Sequence, residues 1–191
     1  MKTKFLALAL AAFAPFAVMA DVSYSFVEAS YQLGGEAEDI TGAEDTDGFQ
    51  LRGSFAVNDN WFVEFDYGTL STDPSGVDIN SMSLLAGWHG ELVYAKFGYE
   101  SLELDAGAGG SVDDSGYNLD FGVRSMVSDA IELNGHVGYS DLGNFDTFTN
   151  YGFGALWTFG DNMGVTFNYD MHSGDGVDLS TYGFGFRLNF N

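Results

Sequence analysis

Large apolar residues recur at every second position in the last part of the chain. In the final run, Tyr182, Phe184, Phe186, Leu188 and Phe190 alternate with small or polar residues. A period of two is typical of a β-strand, because successive side chains point to opposite faces. In water, such an apolar face would need a packed core opposite it, whereas in a bilayer it needs only lipid. The run therefore predicts a strand with one face towards lipid.

The same alternation predicts ten strands. They are expected near 26–33, 48–57, 61–69, 80–89, 92–101, 116–126, 131–140, 151–159, 163–171 and 182–190. Short turns rich in Asn, Asp and Gly alternate with longer acidic or glycine-rich segments near 34–46, 70–79, 102–115, 141–149 and 172–178. Short turns at one end and longer loops at the other are typical of an up-and-down antiparallel transmembrane β-barrel. We therefore predict an all-β barrel of ten strands, or of eight if two weak runs belong to loops.

Tryptophan and tyrosine fall at opposite ends of the predicted strands. Trp61, Trp88 and Trp157 lie near the ends that carry the short turns. Near the other ends lie Tyr31, Tyr67, Tyr99, Tyr117, Tyr139, Tyr151, Tyr169 and Tyr182. Aromatic rings with a polar tip favour the membrane–water interface. The two sets therefore predict aromatic girdles at the two borders of an apolar band.

The first twenty residues have the pattern of a secretory leader. Two lysines precede an apolar stretch from Phe5 to Ala20, which ends in Val18-Met19-Ala20. This pattern predicts a signal peptide over 1–20, cleaved after Ala20, and a barrel domain over 21–191. The absence of cysteine excludes disulfides and thiolate metal sites. We expect export to a bacterial outer membrane.

The chain is strongly acidic, with 28 Asp and Glu residues against six Lys and Arg and a formal net charge of −22. This charge argues against nucleic acid as a partner, because phosphate binding needs a basic surface. Much of the acidity lies in the predicted loops, where diffuse divalent bridging to lipopolysaccharide is one option. No metal site or cofactor is expected.

Four short segments carry a resemblance to a known group of proteins. They are Tyr24–Tyr31, the Asn58–Trp61 turn, Gly116–Arg124 and the terminal Phe186–Phe190. On these segments the chain resembles small Gram-negative outer-membrane barrels of the OmpA, OmpX and opacity-protein kind. It is similar, more narrowly, to diffusible-signal-factor-regulated outer-membrane barrel proteins. The resemblance implies recognition of the C-terminal strand by the barrel-assembly machinery, although such barrels end on an aromatic residue and here Asn191 follows.

Charged residues of the predicted strands fall on the inward face. The four cations after the leader are Arg52, Lys96, Arg124 and Arg187, and the inward carboxylates include Glu28, Glu64, Asp66, Glu100, Asp120 and Glu132. A lysine or arginine facing lipid at mid-bilayer costs about 2–4 kcal/mol. The pattern predicts a salt-bridged network that fills the lumen. A narrow cation-preferring channel lined by surplus carboxylate is the alternative, because many inward glycines remove volume.

One pair of residues resembles catalytic machinery. Asp170 and His172 share the inward phase near the outer end of the ninth strand. In residue type only, the pair resembles part of the catalytic apparatus of omptin proteases. A histidine oriented by an aspartate can act as a general base towards water. No second acidic pair completes such a site, so a rim hydrolase is only a second alternative.

The function predicted from the sequence is non-enzymatic. We expect a monomeric outer-membrane barrel with a structural or surface-interaction role, such as membrane integrity, adhesion or recognition through short acidic loops. Its expected partners are outer-membrane lipid, lipopolysaccharide and the barrel-assembly machinery; the sequence does not identify a surface ligand.

Overall fold

The computed structural model describes residues 22–34, 45–73, 76–145, 147–174 and 178–190. The predicted signal peptide, its cleavage site and most of the first acidic loop lie outside these residues. Ten strands are present: β1 Phe26–Gly34, β2 Asp45–Ala56, β3 Trp61–Asp73, β4 Asp78–His89, β5 Val93–Asp105, β6 Ser111–Ser128, β7 Ile131–Asp141, β8 Thr147–Phe159, β9 Met163–Gly174 and β10 Asp178–Asn189. Two single-turn 3₁₀ helices, Gly107–Gly109 and Gly143–Phe145, join strand ends.

The strands form one closed antiparallel barrel in which each strand pairs with its neighbours in sequence. β10 closes the sheet on β1, with Glu28 opposite Arg187 and Tyr31 opposite Phe184. The prediction of an all-β, up-and-down barrel with ten strands is confirmed, and the eight-stranded alternative is wrong. Within the described residues, no helix has the length and hydropathy needed to cross a membrane.

The two faces of the sheet differ as the alternation predicts. In β1, Glu28 and Ser30 are buried inside the barrel, whereas Val27 and Leu33 are exposed on its outer face. Large apolar residues are exposed in the same way on the outside of the other strands, as with Phe55. This outer surface needs an apolar solvent, since a soluble protein rarely exposes a continuous apolar belt.

Several strands extend further than the sequence predicts. β3 continues to Asp73, β5 continues to Asp105 and β6 begins at Ser111, so the loops predicted at 70–79 and 102–115 are much shorter. The prediction failed because the alternation reverses its sense there. Towards lipid the outward residues are apolar, but at these ends the outward residues are polar, and the inward ones include Leu70, Leu102 and Leu104.

We call these outer strand ends, together with their connections, the crown. It comprises residues 69–73, 78–80, 101–105, 111–115, 140–145, 147–149, 172–174 and 178–180. In β5, for example, Ser101 and Glu103 face outwards while Leu102 and Leu104 face inwards, in register with β4. A polar outer face fits contact with water, so the crown extends beyond the apolar band.

Candidate functional site

The lower lumen, at the end of the short turns, holds a buried ion-pair network on four strands. Arg187 Nη2 lies 2.7 Å from Glu28 Oε2, and Arg124 Nε lies 2.8 Å from Glu132 Oε1. Arg187 Nη1 lies 3.9 Å from Glu132 Oε1, which links the two pairs. Asn168 Nδ2 adds a hydrogen bond of 3.0 Å to Glu28. All four charged groups are almost fully buried, so each depends on its partners for its lost hydration.

Two further cations, on β2 and β5, lie on strands that neighbour this network, and Arg52 is opposite Glu28 across β1 and β2. Lys96 Nζ lies 2.7 Å from Glu64 Oε1 and 3.1 Å from Asp120 Oδ2. Arg52 Nε lies 2.8 Å from Asp66 Oδ2. The structure thus brings each of the four sequence-predicted cations into contact with at least one predicted carboxylate.

Glu100 is the one predicted network carboxylate that meets no cation. Its Oε2 accepts hydrogen bonds from Ser140 Oγ at 2.7 Å and Asn118 Nδ2 at 2.8 Å. Among the described residues, no Lys, Arg or His nitrogen lies within 4.0 Å of this carboxylate. Glu100 therefore carries a negative charge that the lower network does not neutralise.

Aromatic side chains close the lumen below the ion pairs. Tyr24, Phe62 and Tyr94 form a buried cluster, in which the rings of Tyr24 and Phe62 are 4.7 Å apart. Tyr24 also stacks on His89 at 3.8 Å, and the Arg124 guanidinium lies 4.6 Å from the Tyr24 ring. Burial raises the pKa of the Tyr24 hydroxyl, so the ring stays neutral beside that cation. We call Tyr24, Phe62 and Tyr94 the aromatic plug.

Inward glycines make room for the plug. Phe62 is opposite Gly87 and Tyr94 is opposite Gly122 in the strand register. A Cβ at either glycine would overlap the facing ring. The sequence left open whether these glycines leave a gap or make space for aromatic rings, and here they make space. The sequence did not predict Tyr24 as a residue of the lumen. It precedes the first strand, so no alternation shows which way its side chain points.

The upper lumen contains a cavity of about 360 Å³. Its floor is polar and includes Asp120, Glu100 and Asp170. Its upper wall is apolar and is formed by inward residues of the crown, which we call the collar: Leu70, Ile79, Leu102, Leu104, Phe148 and Leu179. Below lies a separate void of about 40 Å³ between the ion pairs and the plug. The lumen is thus filled at one end and hollow at the other.

The two residues proposed for a rim hydrolase have other partners. His172 Nδ1 lies 2.9 Å from Asn150 Oδ1. The Asp170 carboxylate lies 3.6 Å from Nε2 of a different histidine, His136. The aspartate therefore does not orient His172 in the way that a general base needs. Within the described residues, no group of three or more His, Asp or Glu side chains is arranged to hold a metal ion.

The aromatic residues lie on the outer face at two levels. Trp61 and Trp88 are direct partners across β3 and β4, and Trp157 lies at the same end of β8; all three are exposed. At the other level, Tyr99 is opposite Tyr117 and Tyr169 is opposite Tyr182. Tyr31, Tyr67, Tyr139 and Tyr151 lie on neighbouring strands of that level.

Comparison with known proteins places the chain in a family. The sequence profile of the family described as outer membrane protein beta-barrel domain matches residues 5–159. No curated protein matches the sequence significantly.

Several solved structures are similar to this chain. The translocator domain of autotransporter NalP from Neisseria meningitidis aligns with a TM-score of 0.53 and 14% identity, over 99% of this chain and 96% of that chain. OprG from Pseudomonas aeruginosa aligns with a TM-score of 0.46 and 11% identity, over 91% and 100%. Ail, the attachment invasion locus protein of Yersinia pestis, has a TM-score of 0.43 and 17% identity, over 90% and 100%.

The family match, unlike the structural likenesses, rests on sequence and covers well over half of the chain. Together with the closed barrel and its apolar outer face, it places the protein in the bacterial outer membrane. The chain belongs to the outer membrane protein beta-barrel domain family.

Proposed function

We propose that the protein is a closed, non-enzymatic outer-membrane barrel that acts in the structure or the surface interactions of the envelope. The observation that carries this proposal is the filled lower lumen. The plug and the ion pairs of Arg124 and Arg187 occupy the end with the short turns. A barrel of ten strands is little wider than eight-stranded barrels, whose interiors side chains fill. A solute that enters from the crown therefore meets packed side chains.

The expected partners follow from the outer surfaces. The apolar band between the aromatic girdles would contact acyl chains, and the polar outside of the crown would contact lipopolysaccharide head groups. The C-terminal strand β10, which ends beside Phe190, would be read by the barrel-assembly machinery. We propose further that the signal peptide is removed after Ala20, that residues 21–191 form the mature barrel, and that it is a monomer.

Solute uptake by proteoliposomes tests the closed barrel. The mature chain, refolded into liposomes, should give no faster swelling in small sugars than protein-free liposomes. A general porin in the same lipids is the positive control. Swelling at a rate that rises with the amount of folded barrel would contradict the proposal.

A small cation-preferring channel is the second candidate, and the acidic floor of the upper cavity favours it. Asp120 lines that floor while pairing with Lys96. Replacement Asp120→Lys should change the ion preference of any conductance if ions pass this point. A conductance whose ion preference is the same in Asp120→Lys would exclude a path past this residue.

A further inference from the structure

The crown encloses an apolar surface that the barrel itself does not need for a membrane role. The six collar residues face inwards and line the upper cavity, although the outer face at the same level is polar. Ile79 is almost fully buried and the remaining collar residues are half-buried. An apolar wall around a cavity of this size is typical of small-molecule sites, which occupy about 300–1,000 Å³.

Two hydrogen-bond acceptors on β6, which contributes to the cavity floor, lack donors. Asp120 is 7% exposed, and its Oδ1 has no hydrogen-bond donor among the described residues, while Oδ2 pairs with Lys96. Asn118 Oδ1, on the same strand, likewise has no donor there. Both oxygens lie beneath the cavity surface, so a guest meets the floor at the half-buried Glu100 carboxylate.

The charge of the floor selects the kind of donor. Glu100 lines the cavity and has only neutral partners, Asn118 and Ser140. Asp170 also lines the cavity, and its nearest ionisable neighbour is a histidine rather than a lysine or arginine. Arg52 and Lys96 also line the cavity, where they pair with Asp66, Glu64 and Asp120 and leave Glu100 and Asp170 without a lysine or arginine partner. Arg124 and Arg187 pair with Glu132 and Glu28. The floor therefore has surplus negative charge beneath an apolar wall.

We propose that this cavity binds a small amphipathic cation, a molecule with an ammonium group attached to an apolar body. The ammonium would donate to the Glu100 carboxylate, and the body would lie against the collar. The ion pairs and the plug close the site from below, so the ligand binds rather than passes. This site goes beyond the proposed surface role and rests on the closed lower lumen of the proposed function.

Binding of 2-phenylethylammonium tests the proposal directly. Calorimetry with the mature barrel in lipid nanodiscs compares the affinity for 2-phenylethylammonium with the affinities for 2-phenylethanol and phenylacetate. The three compounds share an aromatic body and differ in charge. Empty nanodiscs give the background. Because charge-assisted hydrogen bonds are about twice as strong as neutral ones, the ammonium should bind at least about tenfold more tightly than the alcohol. Binding of none of the three probes, or equal binding of all three, would overturn the proposal.

Matched variants locate the site. Glu100→Gln should weaken binding of the ammonium by at least about fivefold, because it removes the unneutralised charge while keeping the shape. Glu103→Gln removes a carboxylate of the same strand that faces outwards, so it should leave the affinity within about twofold. Equal effects of the two variants would mean diffuse attraction to an acidic surface and would overturn the site.

The collar is tested separately. Leu102→Ser shortens an apolar side chain that lines the cavity and should weaken binding of both the ammonium and the alcohol by several-fold, since less apolar surface is buried. Folding of each variant is checked by its heat-dependent mobility on gels. Unchanged affinity in folded Leu102→Ser would show that the apolar body does not lie against the collar.

Discussion

Single buried charged residues determine which side chains pair in the lower lumen. Glu132 is 2% exposed, and its two oxygens accept from Arg124 Nε at 2.8 Å and Arg124 Nη2 at 3.1 Å. It also lies near Arg187, so one carboxylate serves two guanidinium groups. Removing it leaves Arg124 inside the barrel with its interaction to the Tyr24 ring as compensation.

Replacement Glu132→Gln should therefore destabilise the barrel strongly. Breaking a buried ion pair from one side costs about 3–5 kcal/mol, because the remaining charge is uncompensated. The measurement is the free energy of unfolding in urea, followed by tryptophan fluorescence in lipid vesicles. Glu91→Gln, on the exposed turn between β4 and β5, is the control and should change stability by less than about 0.5 kcal/mol. A loss below about 1 kcal/mol for Glu132→Gln would contradict the network.

The glycines opposite the plug also matter individually, because each leaves space for one aromatic ring. A Cβ at Gly87 would overlap the Phe62 ring, which is 2% exposed and has little room to move. Gly87→Ala should cost about 1–3 kcal/mol through overpacking. Gly53 on the outer face of β2 has open space around its Cα, so Gly53→Ala is the matched control and should be close to neutral. Equal stability of the two variants would show that the plug adapts at no cost.

At the scale of elements, the crown is the least expected part of the fold. Residues 101–105 and 111–115 pair across β5 and β6 beyond the apolar band, where the sequence predicted a loop. Backbone amides of residues 101–105 should exchange with deuterium slowly, because β5 pairs there with both β4 and β6.

Hydrogen exchange with mass spectrometry, on the barrel in nanodiscs, distinguishes ladder from loop. Peptides covering 101–105 should be protected, and the connection 106–110 should exchange at once. Equally fast exchange in both segments would show that β5 ends near the tyrosine level, as the sequence predicted.

The sequence predicted the elements wherever lipid enforces one rule. Residues that face lipid must be apolar. The alternation from Tyr182 to Phe190 therefore predicted both a strand and which of its faces points towards lipid. In the crown, water replaces lipid outside the barrel, so the apolar residues Leu102 and Leu104 face inwards and the polar ones face outwards. A rule that expects apolar residues on the outside does not recognise this segment as a strand. The inward phase of the charges was also predictable, because charges avoid lipid.

The pairing of those charges could not be predicted from the sequence. Which side chains meet in the lumen depends on the stagger of the strands around the closed barrel, and no local pattern encodes it. Glu100 shows the consequence: it shares the inward phase of Glu64 but contacts Ser140 and Asn118, whereas Glu64 contacts Lys96.

For the whole molecule, the central feature is a lumen divided into a filled lower part and a hollow upper part. The small void of about 40 Å³ lies at the lower end, and the cavity of about 360 Å³ lies above it. Some residues, among them Arg52 and Tyr94, line both the void and the cavity. The cavity is therefore separated from the lower end by a few side chains.

Planar-bilayer conductance of the mature barrel tests this division most directly, with the double replacement Tyr24→Ala and Phe62→Ala as the comparison. The wild-type barrel should be silent across a range of salt concentrations. The double variant should give discrete, cation-preferring steps, because the void and the cavity share lining residues and removal of both rings opens the void to the lower end while the acidic floor remains. Discrete steps from the wild-type barrel would contradict a closed lumen.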